Sequence, residues 1–471
     1  MIDRLANIVG PKGFTVDANE MAPWCRDWRG RYQGRARAMV SPQTTREVAS
    51  IVAYARANNV ALVPQGGNTG TVGGATPSAD GDQIILSLRR MNQIRSVNRE
   101  ARLAVAEAGV ILETLHEAVA DHGCRFPLTL GAKGSATIGG LVSTNAGGTQ
   151  ALRFGAMRSL VLGIEAVLPD GSLYDGLSAL KKDNRGYDLD QLLIGAEGTL
   201  GIVTAACLRL VPQIEDSATA WIGVATPQDA LVMLRQMEAV SGSAIESFEI
   251  IADRTLNAAL HHITGTRAPL SGQHDWHILI DYVGVNAASK IEKLIMRALA
   301  DGQAQDAVLA TNSAQAAAFW HIRDSLSSAE KMTGPAVQHD LSVPVDVMPD
   351  FIVTVSQAVE QRFAGTKASA FGHLGDGNLH FHVRAPAGAD PNIWREGQGQ
   401  DIARFVHDLA TNAGGSISAE HGIGQSLKSE LLRLASPARI NALRAIKKAF
   451  DPDNIMNPGK LVPLASNGPA A

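Results

Sequence analysis

The sequence predicts a two-lobed α+β protein, on three observations. Three glycine-rich loops follow short apolar runs in the first half, at Gly66 to Gly74, Gly131 to Gly148 and Gly195 to Gly201. The second half alternates strand-like and helix-like runs, with no glycine cluster before Gly372. The tail from Leu427 has a helical pattern and then turns sharply at Asp451-Pro452-Asp453 and at Asn457-Pro458-Gly459. At roughly 100–200 residues per domain, a chain of 471 residues divides into two or three. The expected bounds are 1–215, 216–426 and a tail 427–471 that returns to the first domain.

The elements follow from periodicity. Thr44 to Asn58 reads as a helix with Val48, Val52 and Ala55 on one face, and Val60 to Pro64 as a short buried strand. Ile84 to Leu88 and Leu103 to Glu107 read as strands, Val110 to His122 as a helix, and Leu160 to Leu168 as a strand ending in the turn Pro169-Asp170-Gly171. The character changes near Pro212. Beyond it, Thr219 to Ala225, Ile245 to Ile251 and His277 to Val283 read as strands. Pro227 to Val240, Ala288 to Ala300 and Ala314 to Met332 read as helices, and the alternation continues through Ser342, Phe351 to Phe363 and Ala368 to His373.

Composition excludes several function classes. Lys plus Arg number 42 and Asp plus Glu 46, a formal charge of -4, so no basic excess suggests nucleic acid. The three cysteines, Cys25, Cys124 and Cys207, fit neither a metal spacing nor a disulfide framework, which points to a reducing compartment. Met1 to Phe14 has no signal-peptide core. No run approaches the roughly 20 apolar residues of a membrane helix. The expected location is cytoplasmic.

The loop Pro64-Gln65-Gly66-Gly67-Asn68-Thr69-Gly70 follows a strand directly. Glycines let backbone N–H groups approach a ligand, and successive N–H groups make a nest for anionic oxygens such as a diphosphate. A tight surface turn is the competing reading for one such loop alone. The motif lacks the Lys-Ser/Thr of a P-loop and is not the Gly-x-Gly-x-x-Gly of a nicotinamide fold. Ser135-Ala136-Thr137-Ile138-Gly139-Gly140 with Ser143-Thr144-Asn145-Ala146-Gly147-Gly148 adds hydroxyls and an amide, and Gly195-Ala196-Glu197-Gly198-Thr199-Leu200-Gly201 leads into apolar Ile202. Three loops together suit a long dinucleotide.

In the second half, Asp376-Gly377-Asn378 is a turn between apolar segments, so a hairpin folds His373 toward His380. His380 and His382 share a strand face. A single histidine is more often packed than ligating, but three converge here. Glu420 and His421 precede Gly422 and Gly424, where a strand would end and both side chains could turn into one site; a helix start with a stray histidine is the alternative. Two histidines and a glutamate make three ligands with an open position, the pattern of a catalytic zinc site. Arg323 and Ser327, four apart on a helix, share a face, and arginine forks onto carboxylates, although a solvated helical arginine is commoner.

Together these motifs mark the chain. The region from about Val40 to Pro212 resembles the FAD-binding domain of vanillyl-alcohol-oxidase-type flavoproteins, through Pro-x-Gly-Gly-x-Thr-Gly, Ile-Gly-Gly with Asn-Ala-Gly-Gly, and Gly-x-Glu-Gly-Thr-Leu-Gly. The whole chain resembles the flavin-dependent D-2-hydroxyglutarate, D-lactate and glycolate dehydrogenases. The resemblance implies an antiparallel-sheet substrate domain. It implies FAD on Pro64, Gln65, Gly66, Gly67, Asn68, Thr69 and Gly70 for the pyrophosphate, on Pro127, Gly131, Ser135, Thr137, Gly139, Gly140, Asn145, Ala146, Gly147 and Gly148, on Glu197, Gly198 and Ile202, and on Asn457 from the tail. Members that bind FAD covalently often place histidine where this chain has Asn68, so FAD is expected to be non-covalent.

For the second half the resemblance implies a divalent metal, zinc, on His373, His380 and Glu420, with His421 as base, and substrate on Arg323, Ser327, Gln338, Asn378 and His382. The implied reaction oxidises a D-2-hydroxy acid to the 2-oxo acid: the metal stabilises the alkoxide, His421 takes the proton and the flavin takes hydride. Two departures bear on substrate. Gln338 stands where the hydroxyglutarate enzymes carry lysine, and His382 where close relatives often carry asparagine. A side chain without a second carboxylate is therefore expected, with D-2-hydroxyglutarate as runner-up. Expected partners are an electron-transfer flavoprotein or quinone and a second copy of the chain. The rivals are an oxidase that uses oxygen, a non-catalytic FAD-binding electron-transfer subunit, and a metallohydrolase, which would leave the glycine loops unexplained.

Overall fold

The computed structural model describes residues 3–180 and 182–464, so the first two residues of the segment read from Met1 to Phe14 lie outside it. The chain forms two compact units. Unit 1 takes the segment ending at Gly148, then Phe154–Gln213, then the segment starting at Glu420; unit 2 takes Thr149–Arg153 and Ile214–Ala419. The chain passes from unit 1 to unit 2 between Gln213 and Ile214. The second boundary falls at Ala419, not at 426, so Glu420 and His421 belong to unit 1 rather than to the substrate domain.

Unit 1 holds two main sheets. In the four-stranded one, Phe14–Thr15, Ala38–Val40, Ile84–Ser87 and Leu62–Gln65 lie side by side, the last three parallel. The helix Thr45–Ala57 is capped by the Thr44 hydroxyl, which accepts from Glu47 N–H at 3.2 Å. Its Val48, Ile51, Val52 and Ala55 stripe is buried against the sheet residues Val40, Leu62, Ile84 and Leu86. The five-stranded sheet is antiparallel in the order Ile94–Asn98, Leu103–Glu107, Ile202–Arg209, Val161–Val167, Leu173–Asp175.

One local expectation changes. The second glycine stretch is not one loop, because Ile138–Thr144 is helical and ends on left-handed Asn145. Its glycines are there for approach: a Cβ on Gly139 would meet Ala108 Cβ at 2.5 Å. Glycine weakens helices by about 1 kcal/mol, and tertiary contact overrides that here. The apolar run that the third glycine loop leads into is the long buried strand Ile202–Arg209.

Unit 2 is a seven-stranded antiparallel sheet in the order Asp306–Leu309, Ser217–Val224, Trp276–Val283, Ile245–Ala252, Lys367–His373, Asn378–Arg384, Ala336–Ser342. One face presents Ile222, Phe248, Ile250, Ile278, Ile280 and Phe381 to the helices Pro227–Ser241, Ala287–Ala300, Met348–Arg362 and Gln398–Asn412. The other presents Trp221, Ile251, Leu279 and Phe371 to Asp253–His262 and Ser313–Thr333. Side chains alternate along each strand, so the second face also carries the ionisable groups of the site.

Candidate active site

In unit 2 the sheet register aligns the polar groups. Glu249 pairs with His373, which pairs with Asn378; Phe371 pairs with His380, which pairs with Asp340; Ser369 pairs with His382, which pairs with Gln338. The four-residue connection after His373 closes the expected hairpin, and the His373 and His380 ring centroids lie 5.8 Å apart. Phe371 backs His380 at 4.9 Å and His382 at 5.4 Å.

Glu249 organises this face. It is fully buried, accepting from Arg323 Nε at 2.7 Å and lying 2.7 Å from His373 Nδ1. Burial opposes its charge, but Arg323 and then His373 outweigh burial and hold its carboxyl below the ordinary range. Arg323 Nη2 lies 3.1 Å from His373 Nε2. Asp340 accepts from Asn378 Nδ2 at 2.9 Å and lies 3.8 Å from His380 Nδ1. The Asn378 Oδ1 is buried with no partner among the described residues. Farther along the strand, buried Glu330 accepts from Arg384 at 2.8 Å and lies 3.8 Å from His382 Nδ1.

Sequence reasoning missed Glu249, Asp340, Glu330 and Arg384. The available signal was charge inside apolar strands or helix stripes, since a buried charge needs a partner. The expected shared face of Arg323 and Ser327 does not hold in burial. Arg323 is buried and Ser327 exposed, and the inward stripe continues through Leu326 to Glu330.

In unit 1 the three loops interlock. Gln65 ends its strand with Nε2 donating to Trp24 O and Ala75 O, both at 2.9 Å. A Cβ on Gly66 would collide with Thr137 Oγ1, and one on Gly67 with Ser135 O, so these two glycines permit the contact between the first two loops. Asn68 is left-handed at φ 54 and donates to Arg26 O at 2.9 Å. Pro127 and Gly131 lie on the irregular stretch before Ile138–Thr144, and Gly148 packs against Thr129 of that stretch. Asn145 Oδ1 accepts from Arg158 N–H at 2.8 Å.

Glu197, left-handed at φ 52, donates its N–H to Ser143 O at 2.8 Å. Its buried carboxylate accepts from Ile423 and Gly424 N–H at 2.7 and 2.8 Å. Burial raises its pKa, and those two bonds only partly offset the rise. Asn457 from the tail donates to Glu197 O at 2.7 Å and to Gly74 O at 2.9 Å. Glu420 and His421 lie on a half-buried bend, not at the end of a strand, and a Cβ on Gly147 would sit 2.8 Å from Glu420 Oε1. Gln65 Oε1, Thr137 Oγ1 and Asn457 Oδ1 are buried with no hydrogen-bond partner among the described residues. Buried polar atoms are normally satisfied. Three orphans at the expected FAD positions fit a ligand rich in donors and acceptors, as FAD is.

Residues 36–176 match the FAD binding domain family, and residues 213–461 match the C-terminal domain of FAD linked oxidases. The solved structure of p-cresol methylhydroxylase with substrate bound superposes with a TM-score of 0.77 over 98% of this chain and 95% of that one, at 15% identity. The fold is that of the vanillyl-alcohol-oxidase-type flavoproteins. The mitochondrial D-2-hydroxyglutarate dehydrogenase of Arabidopsis thaliana is 36% identical over 97% of this chain and 80% of the relative, and that of Bos taurus 35% over 97% and 82%. The chain belongs to the FAD-dependent D-2-hydroxyglutarate dehydrogenase and D-lactate dehydrogenase family. The expectation of a cytoplasmic location is corrected here, because these relatives are named as mitochondrial enzymes. Among the described residues no helix is long and apolar enough to cross a membrane.

Proposed function

We propose how this FAD-dependent D-2-hydroxy-acid dehydrogenase works: with a divalent metal, with His421 as base, and on substrates that lack a second carboxylate. The observation that carries the proposal is the polar sheet face of unit 2, where Glu249, His373, His380 and Asp340 align beside Arg323. FAD, when bound, supplies the hydride acceptor. A divalent metal, when bound, supplies Lewis acidity that makes the substrate hydroxyl easier to deprotonate.

The donor set suits zinc: two imidazoles from His373 and His380 and a carboxylate from Glu420. Glu249 and Asp340 stand at the Nδ1 atoms of the two histidines, at 2.7 and 3.8 Å. A carboxylate hydrogen-bonded as Glu249 is orients the ligating His373 ring and leaves Nε2 as the donor atom, whereas Asp340 is too far from His380 to do the same. Arg323 keeps Nε on Glu249, and with a metal on His373 Nε2 its Nη2, now 3.1 Å from that atom, would turn to the substrate carboxylate. His421 accepts the hydroxyl proton on a ring nitrogen, for which an ordinary histidine is suited near neutral pH. Asn378 hydrogen-bonds the substrate through Oδ1. The re-oxidising partner in this proposal is an electron-transfer flavoprotein or a quinone, and the assembly is a homodimer.

The substrate preference rests on Gln338, His382 and Glu330. A second carboxylate would seek a cation, and Gln338 supplies none. Arg384 is already committed to buried Glu330. A neutral hydrogen bond is roughly half as strong as a charge-assisted one. Anaerobic flavin bleaching against a panel of D- and L-2-hydroxy acids tests the proposal. D-acids with neutral side chains should bleach fastest, and a chelator should stop bleaching while FAD stays bound. Gln338→Lys should shift preference toward D-2-hydroxyglutarate. If the unaltered enzyme already turns over D-2-hydroxyglutarate far better than D-lactate and its apolar homologues, the preference is wrong; if no 2-hydroxy acid bleaches it, so is the mechanism.

A further inference from the structure

The last segment of unit 1 carries a buried cation that the mechanism leaves unused. Lys460 is 4% exposed. Among the described residues no oxygen lies within hydrogen-bond or ion-pair distance of its ammonium. The carboxylate whose charge reaches it, Glu197, is committed to the N–H groups of Ile423 and Gly424. Burial and then the charge of Lys428 push Lys460 down to about 8, while Glu197 pulls the other way.

The lysine is held in place by its backbone. Leu461 N–H donates to Gly424 O at 2.9 Å, and Lys428 donates to Gly459 O at 2.9 Å. Asn457, Gly459 and Leu461 take φ of 43, 82 and 51. A left-handed leucine is uncommon, and such strain persists where the surroundings enforce it, often at ligand sites. Buried charges in folded proteins are normally paired. Three residues upstream, Asn457 Oδ1 is a buried atom without a partner among the described residues. Both groups stand by the Glu197 loop: Asn457 donates to Glu197 O, and the Glu197 charge reaches Lys460.

Resting on FAD binding in unit 1, and on neither the substrate nor the metal, we propose that Lys460 faces the N1–C2 carbonyl edge of the flavin ring and stabilises its negative charge on reduction. In that step the substrate C–H bond breaks and its electron pair travels with the hydride to flavin N5. The hydroxyl proton goes to the base and the carbinol becomes a carbonyl. The flavin is left with one negative charge spread over N1 and the C2 oxygen, beside the lysine. Lys460 is thus a residue that sets how readily the flavin accepts electrons.

Sulfite tests this without substrate or metal, because it adds at flavin N5 and places the same charge on the N1–C2 edge. In FAD-loaded Lys460→Met, sulfite affinity should fall on the order of ten- to a hundredfold, the worth of one hydrogen bond to a charged group. Lys460→Arg should retain it, and both variants should keep FAD. Unchanged sulfite affinity in Lys460→Met overturns the proposal. So does collapse of FAD affinity with normal sulfite binding in the refilled protein, which would put the lysine on the diphosphate. If Lys460→Met holds no FAD, the unaltered chain decides when loaded with 8-mercapto-FAD. Long-wavelength absorption favoured by a cation at N1–C2 supports the proposal, and ordinary thiolate absorption overturns it. An unaltered chain that takes up no FAD at all would overturn the flavoprotein reading itself.

Discussion

Unit 1 presents to its ligand mainly backbone and short polar side chains on loops. Unit 2 presents long ionisable side chains on one face of a sheet. In unit 1 the left-handed residues Asn68, Asn145, Glu197 and Asn457 and the close approach of Gly66 and Gly67 to the second loop do the shaping. In unit 2 the shaping is strand register, which puts Glu249, His373, Phe371, His380 and Asp340 in adjacent rows. A surface made of backbone resists loss of any one side chain but not insertion of a Cβ. A surface made of paired charges tolerates neither loss of a partner nor a slip by one residue, which would turn every group to the opposite face.

His421→Ala gives the largest expected effect. It should slow flavin reduction on the order of 10²–10⁴-fold with FAD content unchanged, measured by anaerobic stopped flow. An unchanged rate across pH removes His421 from the chemistry. Next is Glu249→Ala, which leaves Arg323 and His373 without their buried carboxylate. Breaking a buried pair costs about 3–5 kcal/mol, read as a lower urea midpoint for unit 2 with flavin affinity retained. A loss no larger than that of a surface substitution would deny Glu249 its organising role.

A smaller effect on the same sheet depends on pH. The Asp281 carboxyl is pushed from 3.8 up to about 6, by burial first, despite bonds from Thr219 and Trp320. Its folded-state pKa exceeds its unfolded one, so the folded state binds the extra proton between those values. Stability should therefore fall as pH rises from about 4 to about 6, by at most roughly 3 kcal/mol. Asp281→Asn should flatten that slope, and an unchanged slope in urea titrations would assign it to other groups. Smallest is Gly67→Ala, whose Cβ would collide with Ser135 O. Overpacking costs about 1–3 kcal/mol, roughly ten- to a hundredfold in FAD affinity. A variant that binds FAD normally would break the contrast between backbone-built and side-chain-built surfaces.

The two surfaces were unequally legible in the sequence. Unit 1 announced itself because positive φ and close approach demand glycine or asparagine, so the backbone requirement is written into residue identity. The hairpin bringing His373 to His380 was legible from Asp376-Gly377-Asn378 and strand alternation. Glu249 was not, because its partners Arg323 and His373 lie 74 and 124 residues away, and register across a sheet cannot be read from one strand. The exposure of Ser327 was hidden for a related reason: four-residue spacing puts two residues near one helix face, but the packing partner decides which edge of that face is buried. Helix Ile138–Thr144 was masked by its own glycines, and strand Ile202–Arg209 by the glycine cluster that precedes it.

The hydrogen bond from Asn457 to Glu197 spans 260 residues of chain. A ribosome adding about 5–20 residues per second delivers its two ends roughly 13–52 s apart. In that interval residues 214–419 leave the ribosome as one run and can settle into their sheet, while the earlier glycine loops wait for the bend and turn that close them. Flavin loading then waits for the Asn457 segment, and the Glu197 carbonyl spends tens of seconds without its amide donor. A ribosome stalled shortly after Phe450 should hold a chain with an ordered second unit and no capacity to retain FAD.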